Sequence, residues 1–387
     1  MSSNGTSDGP TIGAFVPTYN EEVHLGPCLD SLRDLCADIV VVDTGSTDRT
    51  REVAVEHGAR VVECAVELRS DGSRRLDFSK WRNLGIESLT TDYVVTVDAD
   101  QLWLAETKVD FKKALRMVPA PDMLSVVYYL TSHPFSDPRD VIRGRNLTTR
   151  FVRECAFRNA LKPYFRSPVH ETAAYWRHEK KIDLMINVGA VVDRTPAISP
   201  ERMKARDASY VRTMKEHLEE HPDDLYVAAS LCASQMPAED PDLVERAWAM
   251  VRMALDTDSR YAAVGCFAAR KVMVARTVAA ILVNDVAKVL EAAAFYIENY
   301  GKHPDALMAL GWAREHQALD AFFDGIALRN ATMWSDLHFH EGSSPTQRFA
   351  RETYDAHVMK AAAEAEAEAE ARRVTDTHWA EPAVSVP

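Results

Sequence analysis

Short apolar segments alternate with amphipathic segments between residues 11 and about 118, which predicts a mostly parallel α/β sheet. Apolar runs that favour strands cover 12–16, 39–42, 59–63 and 93–97, and the first stops at Pro17. Between them, apolar positions recur at helical spacing over 21–35, 47–57 and 80–89. Each predicted strand leads into a polar loop. Ligands of open α/β sheets bind beyond the carboxyl ends of the strands, so we expect the functional site at these loops.

The pattern changes twice further along the chain. Strand-like runs at 123–130, 148–153 and 182–192 alternate with arginine-bearing loops and predict an antiparallel extension that completes the site. From residue 200 onward the spacing is helical, over 200–220, 223–236, 241–256, 261–281, 284–300, 304–316 and 318–330. Helices of this length joined by short turns predict an array of helix pairs with units of about 34 residues, as in tetratricopeptide repeats.

The chain has 387 residues, more than a single hydrophobic core usually supports, so two domains are expected. The predicted organisation is a disordered N-terminus at 1–10, an α/β domain at 11–198, a tetratricopeptide-like helical domain at 199–335, and a C-terminal extension at 336–387. That extension contains the low-complexity run AAAEAEAEAEARR, which predicts a solvated helix followed by a frayed tail.

Charge and cysteine content narrow the functional class. A formal net charge of −13 argues against a protein that binds the phosphates of nucleic acids. The six cysteines form no CxxC pair and no zinc-like spacing, which predicts reduced thiols in a cytoplasmic protein. Residues 1–10 lack the basic and apolar regions of a signal peptide, so none is expected there, and no apolar run reaches the ~20 residues of a membrane-spanning helix.

The most informative motif is Asp98-Ala99-Asp100, directly after the apolar strand predicted at 93–97. Two carboxylates at a strand end can bind a hard divalent cation, which in turn can hold a diphosphate. Taken alone, such a tripeptide is more often a solvated surface loop. Its position at the end of a buried strand favours the metal interpretation.

Three further motifs lie at comparable positions. PTYNEE at 17–22 follows the first predicted strand, DTGSTD at 43–48 follows the second, and DFSKWRN at 77–83 opens a predicted helix. In isolation, each has an ordinary structural explanation as a turn, a helix cap or a surface helix start. The functional alternative is that Gly45 allows close backbone approach to a ligand, while Arg82 pairs with a phosphate.

Together these four motifs resemble the catalytic domain of glycosyltransferase family 2, which has the A-type nucleotide-diphosphosugar transferase fold. The resemblance covers roughly residues 11 to 195. With the later run Pro168-Val169-His170-Glu171, it looks most like the subgroup that carries C-terminal tetratricopeptide-like repeats. That subgroup is similar to bacterial lipopolysaccharide-core glucosyltransferases and peptide S-glycosyltransferases. The implied fold class is α/β, an A-type glycosyltransferase domain followed by an all-α helical-repeat domain.

The resemblance also implies roles for individual residues. The nucleotide sugar would be bound by Pro17, Thr18, Tyr19, Glu21, Asp43, Arg82, Asn83 and Asp98. A Mn²⁺ or Mg²⁺ ion would be held by Asp98, Asp100 and His170, with Asp100 as the principal ligand. Two departures from the family pattern stand out: Thr44 occupies a position where many members have a second acid, and no histidine lies near 187–189, where relatives often have one.

Glu171 is the expected general base, because a displacement at an anomeric carbon needs a group that takes the acceptor proton. Asp137 and Asp140 are the alternatives for this role. A cationic run in an otherwise acidic chain could contact the acceptor or the diphosphate, or could be a solvated strand face. That run consists of Arg143, Arg145, Arg150 and Arg153.

The predicted function is an inverting, metal-dependent hexosyltransferase-like enzyme that uses a nucleotide sugar, with UDP as the expected nucleotide. Its acceptor would be a protein, a peptide or a glycan, and a homo-oligomer through the helical domain is a further option. One alternative is an inactive sugar-nucleotide fold that acts as a scaffold through its helices. Another is a nucleotidyltransferase, which would require a glycine-rich basic loop where this chain has PTYNEE.

Overall fold

The computed structural model describes residues 9–145, 147–182, 186–194, 200–234, 239–256, 259, 261–283 and 285–313. The predicted disordered N-terminus, the predicted helix at 318–330 and the C-terminal extension therefore lie largely or wholly outside the described residues.

The first part of the chain forms an eight-stranded mixed sheet in the order β3-β2-β1-β4-β7-β6-β8-β5. The strands are β1 (Ile12–Thr18), β2 (Asp38–Asp43), β3 (Arg60–Glu63), β4 (Tyr93–Thr96), β5 (Gln101–Trp103), β6 (Met123–Leu130), β7 (Thr149–Arg158) and β8 (Ile186–Asp193). Strands β3, β2, β1 and β4 are mutually parallel. Their carboxyl ends therefore meet at one edge, as the alternating pattern predicts.

Helices connect the strands. They are α1 (Leu25–Leu32), α2 (Thr50–Glu56), α3 (Phe78–Glu87), α4 (Ala105–Ala114), α5 (Pro138–Ile142) and α6 (Ala174–Glu179). The first is shorter than the apolar spacing over 21–35 suggests, because residues 22–24 form a turn before the helix begins. The expectation that β1 stops at Pro17 is wrong: Pro17 pairs with Val42 in the parallel register.

Helix α3 lies very close to the sheet. An ideal Cβ placed on Gly85 would come within 2.6 Å of the Cβ of Phe15, a fully buried residue of β1. Only glycine therefore permits this approach without displacement of the strand or the helix. Since α3 begins with the DFSKWRN motif, the close packing fixes that motif relative to the strand ends.

The antiparallel extension is confirmed. β7 pairs antiparallel with both β4 and β6, and β5 pairs antiparallel with β8. One pair differs from the expectation, because β6 and β8 run parallel. The β5–β8 pairing sets Gln101 opposite Asp193 and thereby brings the residue after β8 beside the Asp98-Ala99-Asp100 loop.

From residue 200 the described chain is helical. The helices are α7 (Pro200–Glu220), α8 (Leu225–Ser234), α9 (Pro241–Met253), α10 (Gly265–Leu282), α11 (Val286–Tyr300) and α12 (Pro304–Ala313). Taken as pairs, they begin at Pro200, Pro241 and Val286, a wider spacing than the expected units of about 34 residues. The tetratricopeptide class and the domain boundaries remain predictions.

The helices pack directly against the α/β part. Val169, which follows Pro168 in the PVHE run, belongs to the apolar core of the helical part. The largely buried Arg69 donates through Nε to both carboxylate oxygens of Glu216 on α7, at 2.8 and 2.9 Å. A second donor of the same guanidinium, Nη2, bonds Thr213 Oγ1 of α7 at 2.9 Å, so two contacts fix the orientation of the helix as well as its proximity. The helices are thus held in a defined position beside the sheet.

Two sequence-based expectations concern the environment of the protein. All six cysteines are free thiols, in agreement with the absence of a disulfide pattern. Among the described helices, none combines the length and the apolar character needed to cross a bilayer. Cytoplasmic localisation itself stays a prediction.

Candidate functional site

The four motifs meet at the carboxyl-end edge of the sheet. Thr44 N, after β2, donates to Thr18 O at 3.0 Å, and Cys28 Sγ of α1 donates to Asp98 O at 3.5 Å. The amide oxygen of Asn20 accepts from Thr47 N at 2.8 Å. The structure therefore brings together three loops that are far apart in the sequence.

A buried guanidinium forms the centre of the site. Arg82, only 5% exposed, donates through Nη2 to Asp98 Oδ1 at 2.7 Å and through Nε to Glu171 Oε1 at 2.6 Å. Its Nη1 donates to Thr96 Oγ1 at 2.5 Å. A charge removed from water needs this degree of compensation. Arg82 thus joins α3, β4 and the turn after His170, and its donors are directed at protein groups and away from a phosphate.

Asp98 is almost fully engaged with protein donors. Besides Arg82, its Oδ2 accepts from Gln101 Nε2 at 3.1 Å and from Arg153 Nη2 at 3.2 Å. Burial raises the pKa of Asp98, but the charges of Arg82 and Arg153 outweigh it and hold that pKa well below the usual range. Asp98 is therefore an anion neutralised by two arginines, and its role as a metal ligand stays a prediction.

Asp100 lies in the opposite electrostatic environment. Burial, and then the charges of Asp193, Asp98 and Glu21, raise the pKa of Asp100 well above its usual range. Burial also raises the pKa of Glu21. The backbone N–H of Arg194 donates to Asp100 O at 3.1 Å, which places the end of β8 beside this group. The charges of three acidic side chains, from separate parts of the chain, therefore act on Asp100.

Asp193 belongs to this acidic group and was not predicted from the sequence. It lies 93 positions after Asp100 and comes close only because β5 and β8 pair. The available signal was its place at the end of an apolar strand, the same placement that drew attention to Asp43 and Asp98.

No preformed three-ligand metal site is present among the described residues, since no three His, Cys, Asp or Glu side chains are grouped to hold an ion. The chemistry of the Asp100 group nevertheless fits a hard divalent cation. Mg²⁺ commonly uses one or two carboxylates together with water and substrate phosphates. A bound cation would reduce the repulsion between carboxylates that raise one another's pKa, and would favour their ionised forms.

The loop after β2 is shaped by Asp43. This residue is 1% exposed and accepts from Ser46 N at 3.2 Å and from Gly45 N at 3.3 Å. Gly45 has a φ of 90°, which favours glycine. The structural explanation for DTGSTD as a turn is therefore fulfilled, and contact between Asp43 and a base or ribose remains a prediction.

Arg74 is a second residue that the sequence did not reveal. Its guanidinium lies 3.4 Å from the ring centroid of Tyr19, and its Nη2 donates to Thr44 O at 2.6 Å and Thr44 Oγ1 at 2.8 Å. Thr44, a departure from the expected family pattern, thus accepts from the guanidinium that covers Tyr19, a residue predicted to contact the nucleoside. Thr18 beneath them is buried.

Asn83 has a structural role in the described contacts. Its Nδ2 donates to Phe165 O at 3.0 Å, while Phe165 N donates to its Oδ1 at 2.7 Å. Both ends of the amide are therefore used to hold the backbone that leads to the PVHE run. The predicted contact between Asn83 and the nucleotide stays a prediction.

His170 and Glu171 are adjacent but point into different surroundings. His170, at a φ of 55°, packs its ring edge-on against Tyr210 of α7, with the ring centroids 5.7 Å apart. Protein around the ring, then the charges of Lys271 and Arg206, lower the pKa of His170 to about 4. The charged neighbours that act on its ring are cations, and metal binding by His170 stays a prediction that the structure does not support. Glu171 is 12% exposed and pairs with Arg82, so it does not project toward the mouth of the cleft.

The alternative bases are occupied elsewhere. Asp137 caps α5 by accepting from Arg139 N at 2.9 Å, and Asp140 pairs with Arg143 and Arg145 at 3.3 and 3.2 Å. The cationic run is consequently divided: its first two arginines neutralise Asp140, Arg150 is exposed on β7, and Arg153 alone reaches the site through Asp98.

Comparison with known proteins supports the resemblance found in the sequence. Residues 14–115 match the model of glycosyl transferase family 2. The SPbeta prophage-derived glycosyltransferase SunS of Bacillus subtilis is 29% identical over 189 residues, which cover 47% of this chain and 39% of that protein. A TPR repeat-containing protein of Synechococcus elongatus is 28% identical over 222 residues, 54% of this chain and 49% of that protein. The chain thus spans less than half the length of each of these relatives.

Among solved structures, glucosyl-3-phosphoglycerate synthase from Mycobacterium tuberculosis is 18% identical, covers 53% of this chain and 80% of its own, and gives a TM-score of 0.35. The family match and the observed order of a mixed α/β sheet followed by helices confirm the predicted fold class.

Proposed function

We propose that this protein transfers a sugar from a nucleotide sugar to an acceptor, with inversion at the anomeric carbon, because residues 14–115 match the model of glycosyl transferase family 2. The relatives named as glycosyltransferases support the general activity. The observation that carries the proposal is the acidic group around Asp100, which faces the loop ends at the carboxyl edge of the parallel strands.

The nucleoside of the donor is proposed to bind where Arg74 now covers the Tyr19 ring. The guanidinium of Arg74 is planar and covers the face of the Tyr19 ring. When Arg74 moves aside, the planar base of the nucleotide can stack on the same face. UDP is the nucleotide that the family resemblance implies. Pro17 and Thr18 support Tyr19 from the end of β1, and their contribution to the donor site would be indirect.

A divalent cation, Mn²⁺ or Mg²⁺, is proposed to bind Asp100, with Asp193 and Glu21 as the nearby carboxylates. When bound, such an ion neutralises charge on a leaving diphosphate. The contribution of the protein is the carboxylate set and its position beyond β4 and β8. Asp98 stays with Arg82 and Arg153 and positions the loop from which Asp100 projects.

Glu171 is proposed as the general base. The acceptor nucleophile would attack the anomeric carbon as the bond to the diphosphate breaks, and its proton would pass to the Glu171 carboxylate. The contact between Arg82 Nε and Oε1 fixes the orientation of this carboxylate. The conservative variant Glu171→Gln keeps the shape and removes the proton acceptor.

The test measures release of nucleoside diphosphate from a panel of nucleotide sugars with Mn²⁺, for the wild type, Asp100→Asn and Glu171→Gln. We expect hydrolysis or transfer with one donor, and its loss in Asp100→Asn. Glu171→Gln should retain UDP affinity in calorimetry and lose transfer to an added acceptor by about 10²–10⁴-fold. An Asp100→Asn protein with wild-type release would contradict the proposed site.

The alternative of an inactive scaffold makes a different prediction. In that case the wild type would release no diphosphate from any donor, and UDP with Mn²⁺ would not raise the melting temperature. The charged residues that surround Asp100 favour the enzyme, because they destabilise an apo protein and would serve no purpose in a scaffold.

A further inference from the structure

We infer that the wall formed by α7 and α10 beside His170 binds the acceptor, and that this acceptor is a sugar carrying a phosphate or a carboxylate group. The inference rests on the proposed glycosyl transfer and adds the acceptor class. The wall consists of His170, Arg206, Tyr210, Phe267 and Lys271.

Lys271 is the strongest observation. Its Nζ lies 4.2 Å from the ring centroid of Phe267 and 3.5 Å from Ser230 Oγ. In the described part of the chain, no carboxylate stands within ion-pair distance of this ammonium. Burial, with the charge of Arg270, lowers the pKa of Lys271 to about 7. In a protein with a net charge of −13, an ammonium without an acidic partner is a site that an anion would stabilise.

The charge of a second cation, Arg206, also acts on His170. The guanidinium of Arg206 lies 5.9 Å from the ring centroid of Tyr210, whose ring contacts that of His170. Arg206 has one carboxylate neighbour, Asp207, at 3.2 Å. Both side chains of that pair are exposed, and an exposed pair of this kind contributes little and can exchange for a ligand.

The wall is close to the proposed base. The ring of Tyr226 stacks on that of Phe267, with centroids 4.8 Å apart, and Tyr226 has a raised pKa, mainly from burial and then from the charge of Glu171. The charge of Glu171 likewise acts on Tyr210. Because the charge of Glu171 acts on two tyrosines that pack against wall residues, a ligand on this wall would bring its nucleophile near that carboxylate.

The side chains of the wall favour a sugar over a peptide. They are rings and cations: rings pack against the C–H faces of a pyranose, and cations bind a phosphate or carboxylate. An extended peptide is usually held through main-chain hydrogen bonds to an open strand edge. The wall is built by helices α7 and α10 and a turn, so it offers no such edge within its described residues.

The test is calorimetry on the full chain with saturating UDP and Mn²⁺, so that the donor site is filled. The probes are glucose 6-phosphate, glucuronate, glucose, and a hexaglutamate peptide, each titrated into the millimolar range. We expect glucose 6-phosphate or glucuronate to bind, and the comparison between the two identifies the anionic group. Lys271→Met and Arg206→Gln should each raise the Kd by about tenfold or more, because each removes a charge-assisted contact.

Lys215→Met is the matched control, since Lys215 is an exposed lysine elsewhere on α7 and its variant should bind the anionic sugar as the wild type does. Equal binding of glucose, binding of hexaglutamate alone, no binding of any probe, or an unchanged Kd in both wall variants would overturn the inference. UDP affinity, measured first, separates the two failures. Loss of UDP binding by the wild type would contradict the proposed function, whereas UDP binding without anionic-sugar binding would contradict the acceptor class alone.

Discussion

Replacement of Arg82 by methionine tests the centre of the site. Methionine keeps most of the apolar stem and removes the guanidinium that holds Asp98 and Glu171. Removal of one partner from a buried ion pair typically costs about 3–5 kcal/mol, because the remaining charge is left uncompensated. That is a large fraction of a typical folding free energy of about 5–15 kcal/mol. At about 2–4 °C per kcal/mol, we expect the melting temperature to fall by roughly 6–20 °C at pH 7.

The loss of stability in Arg82→Met should also depend on pH. The pKa of Asp98 is depressed in the folded protein, so the carboxylate contributes stability above its unfolded pKa of about 3.9, and this is lost as pH falls through the folded value. Arg82→Met removes much of that depression. The difference in melting temperature between wild type and variant should therefore be largest near neutral pH and narrow below about pH 4.

Arg276→Met is the matched control in the helical part. Arg276 is as buried as Arg82, but its partners Glu245 and Glu291 are 42% and 48% exposed, against 33% for Asp98 and 12% for Glu171. Water can rehydrate the exposed carboxylates, so the control should lose less stability. Adding Glu171→Gln to Arg82→Met should restore part of the loss. An Arg82→Met protein that melts within about 1 °C of wild type would refute the reasoning.

Three further outcomes are expected. Asp100→Asn should stabilise the apo protein at pH 7 by about 0.5–2 kcal/mol in thermal denaturation. The pKa of Asp100 is raised in the folded protein, so its ionised form opposes folding as pH rises. No gain at pH 7, or an equal gain at pH 4, would contradict this. Glu171→Gln should lower turnover with little change in the KM for the donor, and a rise in that KM alone would assign Glu171 to donor binding. Gly85→Ala should cost about 1–3 kcal/mol in chemical denaturation, because its new methyl group meets Phe15, and an unchanged midpoint would show that α3 can move away from the sheet.

The strand ends were predictable from the sequence because their physical cause is local. Apolar β-branched runs such as Ile39 to Val42 can form little other than buried strands, and a polar residue after such a run must lie at the sheet edge. This reasoning located Asp43, Asp98 and Asp100 at the edge. It could not distinguish their electrostatic states, because these depend on partners far away in the chain.

The partners set those states through long-range pairing. Arg153 neutralises Asp98 only because β7 inserts between β4 and β6, and Asp193 reaches Asp100 only because β8 pairs with β5. No periodicity or residue spacing in the sequence indicates that Arg153 lies near Asp98 or that Asp193 lies near Asp100. Asn83 shows the same limit: its place in the DFSKWRN motif suggested a ligand contact, and nothing in the sequence indicates that its amide also bonds the backbone of Phe165.

The short segment between residues 67 and 75 connects two parts of the protein mechanically. A β-bridge between Leu68 and Arg74 closes this segment. Arg69 of the segment donates to Glu216 of α7, and Arg74, five positions later, covers the Tyr19 ring. A nucleotide base that displaces Arg74 would therefore also shift the segment that holds α7 through Arg69. If nucleotide binding stabilises the contact between this segment and α7, that contact must strengthen nucleotide binding by the same free energy.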